Sequence, residues 1–216
     1  MKNLTQYVNE WLIKKKVDKV RKNYNYEPNN RDELIDIIIE KFENNNYDLT
    51  DIDVSKFTTM RNVFDYVRTN CVFKEFDVTG WDVSNVEDMY CMFNQCTNIT
   101  NIIGLDTWDV SNVKDMGFMF NNCCKFNGAG IENWNVSNVE NMGNMFQDCK
   151  RLKADISNWD VSNVQYLNGM FVRCYDFKHD LSNWNVHSLK SVNQMFYQSG
   201  INEKSKNVPK WYYDNI

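Results

Sequence analysis

The chain has 216 residues, 24 Lys and Arg against 29 Asp and Glu, and a formal net charge of -5. That length suits one or two domains with a proper core, and the mild acidity argues against wholesale nucleic-acid binding, which needs a basic surface. Only 2 His leave little room for His-dependent catalysis or metal ligation, while 33 Asn against 8 Gly and 2 Pro mark an unusual composition.

Residues 1–47 carry no repeat. Leu4, Tyr7, Val8, Trp11 and Leu12 share one helical face, followed by Val17 and Val20. The polar side holds Lys14, Lys15 and Lys16 in a basic stretch that runs to Lys22. A second helix is expected next, with Asn30 as N-cap, Asp32 and Glu33 in its first turn, and Leu34, Ile37, Ile38 and Phe42 as its apolar stripe. Glu43 to Asn46 end it. This segment reads either as a helical cap over the first repeat, since the ends of a repeat stack must be covered, or as a docking segment presenting Tyr7, Trp11, Lys14, Lys15 and Lys16. The basic cluster could also touch nucleic acid or an anionic membrane surface, but no aromatics interleave with it as single-strand binders require, and a solvated face is the simpler reading.

Residues 48–200 hold six copies of one repeat. The string W-[DN]-V-S-N-V begins at Trp81, Trp108, Trp134 and Trp159, a degenerate copy begins at Trp184, and an earlier one begins at Ile52. Spacings from Ile52 onward are 29, 27, 26, 25 and 25 residues. Further along each copy come Met92-Phe93, Met119-Phe120, Met145-Phe146, Met170-Phe171 and Met195-Phe196, then Cys96, Cys123, Cys149, Cys174 or Ser199. Trp81 and Val83 alternate with polar residues as in a short half-buried strand. From Val86 the apolar spacing changes to that of a short helix face, and Ser84-x-x-Glu87, Ser137-x-x-Glu140 and Ser162-x-x-Gln165 read as capping boxes. The expected unit is strand, tight turn, short helix and return loop. No copy can bury its own Trp and Met-Phe, so the copies must stack, giving an α/β repeat solenoid. Residues 201–216 are expected to close it with a last, non-repeating strand or cap carrying Trp211, and exposed aromatics there offer a minor docking alternative.

The string WDVSNVxxMxxMFxxC, followed by DISNW at Asp155–Trp159 and DLSNW at Asp180–Trp184, resembles the BspA-like leucine-rich-repeat family, the 25-residue surface-protein repeat of Mycoplasma-type lipoproteins. The resemblance covers about residues 48–200. It implies a leucine-rich-repeat-like solenoid and, as family behaviour, adhesion or protein interaction rather than catalysis. Surface-displayed members are expected to carry a signal peptide and an anchor. Here the N-terminus lacks the apolar region and cleavage site of a secretory signal, and no run approaches the ~18 apolar residues of a membrane span. The expected setting is therefore reducing and intracellular, or virion-associated, rather than secreted. Residues 1–12, MKNLTQYVNEWL, are loosely similar to leaders of proteins packaged into tailed-phage heads.

Nothing in the sequence calls for a cofactor, a metal or an enzyme. Seven Cys with no framework and no C-x-x-C read as small buried fillers, and His179 and His187 have no nucleophile or acid partner at a recognisable spacing. Asn85, Asn112, Asn138 and Asn163 recur at the turn after each strand and suggest a buried Asn ladder satisfying backbone groups between copies. What remains for function is surface. Asp53, Asp82, Asp109, Asn135, Asp160 and Asn185, with His187 among the neighbouring Ser positions, are expected to form an outward polar stripe that a protein partner could read. The expected function is thus a non-enzymatic interaction solenoid binding a protein partner. The alternative is a structural or attachment component of a larger particle, such as a phage virion, docked through the N-terminal helix.

Overall fold

The computed structural model describes residues 24–65, 73–201 and 208–215. The first helix among the described residues, α1 (Arg31–Glu43), forms where its caps predict: the Asn30 side chain accepts the N–H of Glu33, and Asp32 and Glu33 sit in the first turn. It buries Leu34, Ile38 and Phe42 in the same apolar cluster that runs on to Ile201, so the helix shares the core of the repeats. Lys41, only 6% exposed, is buried with them. Its ammonium lies 2.7 Å from Asp51 and 4.9 Å from the centre of the Tyr26 ring, which offsets the cost of burying a charge.

Tyr26 forms a parallel bridge with Ile52, exactly one repeat later, and its carbonyl accepts the N–H of Asp53 at 2.9 Å. It therefore stands in the leading position of a copy that precedes the first one visible in the sequence. α1 then replaces the rest of that copy, and Arg31 donates to the Arg61 carbonyl at 3.2 Å.

Successive copies pair side by side in parallel register. Bridges join Thr59 to Asp88, Asp88 to Asp115, Asp115 to Asn141, Asn141 to Tyr166 and Tyr166 to Ser191. The regular strands among the described residues are β1 (Glu75–Asp77) and β2 (Asn101–Ile103), which pair in parallel as well. A short 3-10 turn, Leu105–Thr107, follows β2.

The repeat does not fold as strand and helix. Between the Met and Cys positions the chain runs through overlapping turns, with left-handed residues ten and fourteen places after each leader: Phe118 and Asn122, Asn144 and Asp148, Gly169 and Arg173, all with φ between 55° and 63°. Alternate N–H groups serve different partners. Met116, Phe118, Phe120 and Asn122 donate to Asn141, Gly143, Met145 and Gln147 of the next copy at 2.7–2.9 Å. Met119, Asn121 and Cys123 close local turns onto Met116, Phe118 and Phe120 at 3.0–3.2 Å. The physical reason is spacing. Backbone pairing holds neighbours about 4.8 Å apart, whereas packed helices need axes about 8–10 Å apart. The expected short strand at Trp81–Val83 and its equivalents is likewise not formed as a regular strand. The expected capping boxes cap nothing, and the Ser84 hydroxyl donates to Asp82 at 2.6 Å.

Side chains complete the stack. Trp81, Trp108 and Trp134 are near parallel with ring centres 6.2–6.3 Å apart, and Phe93, Phe120, Phe146 and Phe171 form a second column. Every Trp, Met and Phe expected in the core, from Trp81 to Phe196, is buried. The indole N–H of Trp134, Trp159 and Trp184 donates to the carbonyl of Leu105, Ile131 and Ile156, three residues before the previous leader. Trp211 repeats that bond to Leu181 at 2.9 Å and lies 6.3 Å from Trp184. It sits in α2 (Lys210–Tyr213), a single helical turn and not the strand that was one of the two forms expected there, the other being a cap. Pro209 before it and the absence of a following backbone partner among the described residues favour a turn over a strand.

Candidate functional site

A groove of about 700 Å3 runs across the copies, lined by Glu87, Asn112, Lys114, Asn138, Glu140, Asn163, Gln165, Ser188 and Lys190. These are the fourth and sixth residues after successive leaders, brought side by side by the parallel pairing. Each Asn reaches back one copy. Asn112, Asn138 and Asn163 donate one amide N–H to the carbonyls of Ser84, Ser111 and Ser137, each at 2.7 Å. The Asn ladder is thus present, but on the exposed side of the turn and not buried as expected. Burial would leave the rest of each amide unsatisfied, and water or a ligand can satisfy it here. Among the described residues, the Oδ1 atom and second N–H of these three amides have no partner.

The sixth positions form two short chains of contacts. Lys114 lies 2.6 Å from Glu87, which holds its ammonium charged above the ordinary lysine range. Gln165 donates to Glu140 at 3.0 Å and accepts from Lys190 at 2.6 Å. Two carboxylates and two ammoniums leave the groove with no net charge. Sequence reasoning assigned Glu87, Glu140 and Gln165 to helix caps and did not single out Lys114 or Lys190. The available signal was that this position changes charge from copy to copy while the residue before it stays apolar.

The stripe of Asp53, Asp82, Asp109, Asn135, Asp160 and Asn185 has a local role. Each side chain accepts the backbone N–H two residues on, from Ser55, Ser84, Ser111, Ser137, Ser162 and His187 in turn. These are Asx turns that fix the bend after each leader, and Asp53 and Asp82 are only half exposed. His187 is exposed, with its ring 3.1 Å from Asn185. The other His does meet an acid: His179 Nδ1 lies 3.5 Å from Asp155, and its Nε2 is 2.9 Å from the Lys153 carbonyl. The docking candidates Tyr7, Trp11, Lys14, Lys15 and Lys16 lie outside the described residues.

Two ionic clusters join neighbouring copies outside the groove lining. Arg61 lies 2.8 Å from Asp88, 3.7 Å from Asp115 and over the Tyr90 ring at 4.1 Å. Burial pushes the Asp115 carboxyl up, against the bond it accepts from Gly117 and with the help of the nearby Asp88 charge. Arg173 grips Asp148 with both ends of its fork and holds that carboxyl below the usual range. Cys123, Cys149 and Cys174 are buried and point their thiols at the carbonyls of Phe93, Phe120 and Phe146. Burial pushes the Cys149 and Cys174 thiols up, away from the reactive thiolate. Among the described residues, no group of three or more His, Cys, Asp or Glu side chains could hold a metal ion, and no helix is long and apolar enough to cross a membrane.

The family described as Mycoplasma protein of unknown function, DUF285, has a model that matches residues 33–104 and 99–211. Those two segments take in α1 from Glu33 on, all six copies and Trp211. No curated protein and no solved structure matches the chain.

Proposed function

We propose that this chain, which belongs to the DUF285 family, is a non-enzymatic interaction solenoid of the BspA-like leucine-rich-repeat kind, binding a protein partner along the Asn-lined groove. The observation that carries this reading is the groove itself. There the partly unsatisfied amides of Asn112, Asn138 and Asn163, from successive copies, line one face. An elongated concave surface made by stacked repeats is what such proteins use for extended contacts. The amide and charge lining supplies directional bonds without a strong field.

The test uses the full chain carrying a photo-crosslinking residue at Gln165 or Lys190, with the Asx-turn position Asp109 as control. Protein captured from the native source is identified and its ratio to the bait counted. A single protein captured in fixed proportion from the groove positions, and not from Asp109, supports the reading. Equal capture from both places, or none, overturns it.

A further inference from the structure

We infer that the groove reads the backbone of an extended polypeptide through the side-chain amides of Asn112, Asn138 and Asn163; this rests on the protein-binding reading above. Each of these amides has spent one N–H on a Ser carbonyl of the preceding copy. That bond holds the amide plane at a set orientation and leaves one acceptor and one donor on it, the complement of a peptide group. Backbone-directed amides recognise chain conformation and tolerate varied side chains.

The spacing selects the conformation. Paired copies lie about 4.8 Å apart, so two copies advance about 9.6 Å. A polyproline-II chain turns once every three residues at about 3.1 Å per residue, or about 9.3 Å per turn. Such a chain laid along the groove presents the same backbone face at every second copy, to Asn112 and Asn163 in one register and to Asn138 in the other, and it has no internal hydrogen bonds to break before pairing. The lining spans five copies from Glu87 to Lys190, about 19 Å from first to last, which accommodates about six residues. A helical ligand would turn its backbone groups inward and offer the amides nothing. The paired charges at Glu87–Lys114 and along Glu140–Gln165–Lys190 cancel. The groove therefore favours a polar, weakly charged segment over a strongly acidic or basic one.

The last copy supplies a gain-of-function test. Ser188 stands where the four preceding copies have Asn, so Ser188→Asn extends the amide ladder by one rung. The probe is a capped nine-residue peptide of Ala, Gln and Ser, titrated into the full chain while the side-chain amide resonances of Asn112, Asn138 and Asn163 are followed by NMR. Controls are the same peptide N-methylated at every amide and a β-1,4-linked hexasaccharide of N-acetylglucosamine. The expected result is saturable shifts of those three resonances with the unmodified peptide and at least a tenfold loss on methylation. Ser188→Asn is expected to tighten binding about twofold, because it gives the Asn138 register a second amide and makes it equal to the other. A gain cannot come from unfolding. Shifts with the saccharide but not the peptide would assign the groove to glycans, and equal binding of the methylated peptide would show that the backbone is not read; either overturns the inference. If crosslinking captures a partner at the groove while the peptide moves none of the three amides, backbone reading fails and the protein-binding reading survives.

Discussion

The Trp column contains its own control, because one indole lacks the bond that the others make. Trp134 donates to the Leu105 carbonyl at 2.9 Å, while Trp108, next to it in the column, has a buried indole N–H with no partner among the described residues. The two rings are 6.2 Å apart, tilted by 6°, and 2% and 6% exposed. Replacing either by Phe removes a similar volume from a similar place, so the packing loss largely cancels in the comparison. The polar terms differ in sign. Trp134→Phe deletes a hydrogen bond of about 1 kcal/mol, and the Leu105 carbonyl keeps the N–H of Trp108 at 3.2 Å. Trp108→Phe removes an unsatisfied buried donor whose burial costs about 1–3 kcal/mol. Trp134→Phe should therefore be the more damaging by about 2 kcal/mol. Urea unfolding of both variants, followed by far-ultraviolet circular dichroism, measures the difference. Equal destabilisation, or a larger loss for Trp108→Phe, would refute the reasoning that cross-copy indole bonds stabilise the stack.

Asp115→Asn should raise stability at pH 7 by about 0.5 kcal/mol, since it relieves the stacked charge of Asp88 and an Asn already fills the same place at Asn141. A carboxyl raised by burial favours folding below its unfolded pKa and loses that contribution as pH rises through the folded value. The advantage of the variant should therefore vanish below about pH 3, as thermal melts across pH would record. Asp148 has the opposite sign. Its depressed carboxyl contributes fully above the ordinary value near about 4 and loses the contribution as pH falls through the folded value, so Asp148→Asn should flatten the acid limb of the same curve. Gly104→Ala should cost about 2 kcal/mol or more, because φ is +98° and a Cβ would stand 2.6 Å from the Thr79 backbone; chemical denaturation checks it. Under native conditions a thiol reagent should label the partly exposed Cys91 and Cys124 before the buried Cys123, Cys149 and Cys174, with peptide mapping by mass spectrometry as the readout.

Much of the core was legible because the repeat phase marks it. A position that is Trp in five copies and meets itself every 25 to 27 residues can only be satisfied by its neighbours, and the structure buries all five. α1 was legible for a local reason: Asn30, its acidic first turn and the Leu34-to-Phe42 stripe act within a few residues of one another. The interior of the copy was misread because Val86, Met89, Met92 and Cys96 recur at a spacing that tandem turns share with a helix. Apolar periodicity reports which residues face inward, and both structures place such residues inward. The leading role of Tyr26 was invisible, since neither the residue type nor the sequence after it matches the repeat.

The groove divides in the same way. The Asn row could be read directly, as could its task of satisfying carbonyls between copies, because both follow from one residue recurring in one place. Its exposure, the alignment of Asn112, Asn138 and Asn163 with Glu87, Lys114, Glu140 and Lys190, and the neutralisation of those charges in pairs depend on copies lying in parallel register. The outward Asp stripe shows the limit from the other side. Its residues were correctly picked out as polar and periodic, yet their oxygens are engaged by the backbone two residues on. Composition and phase determine what each copy must bury and which side chains recur. Register, set by hydrogen bonds between residues about 26 positions apart, decides which of the remaining polar groups meet, because a contact across copies has no signature within any one of them.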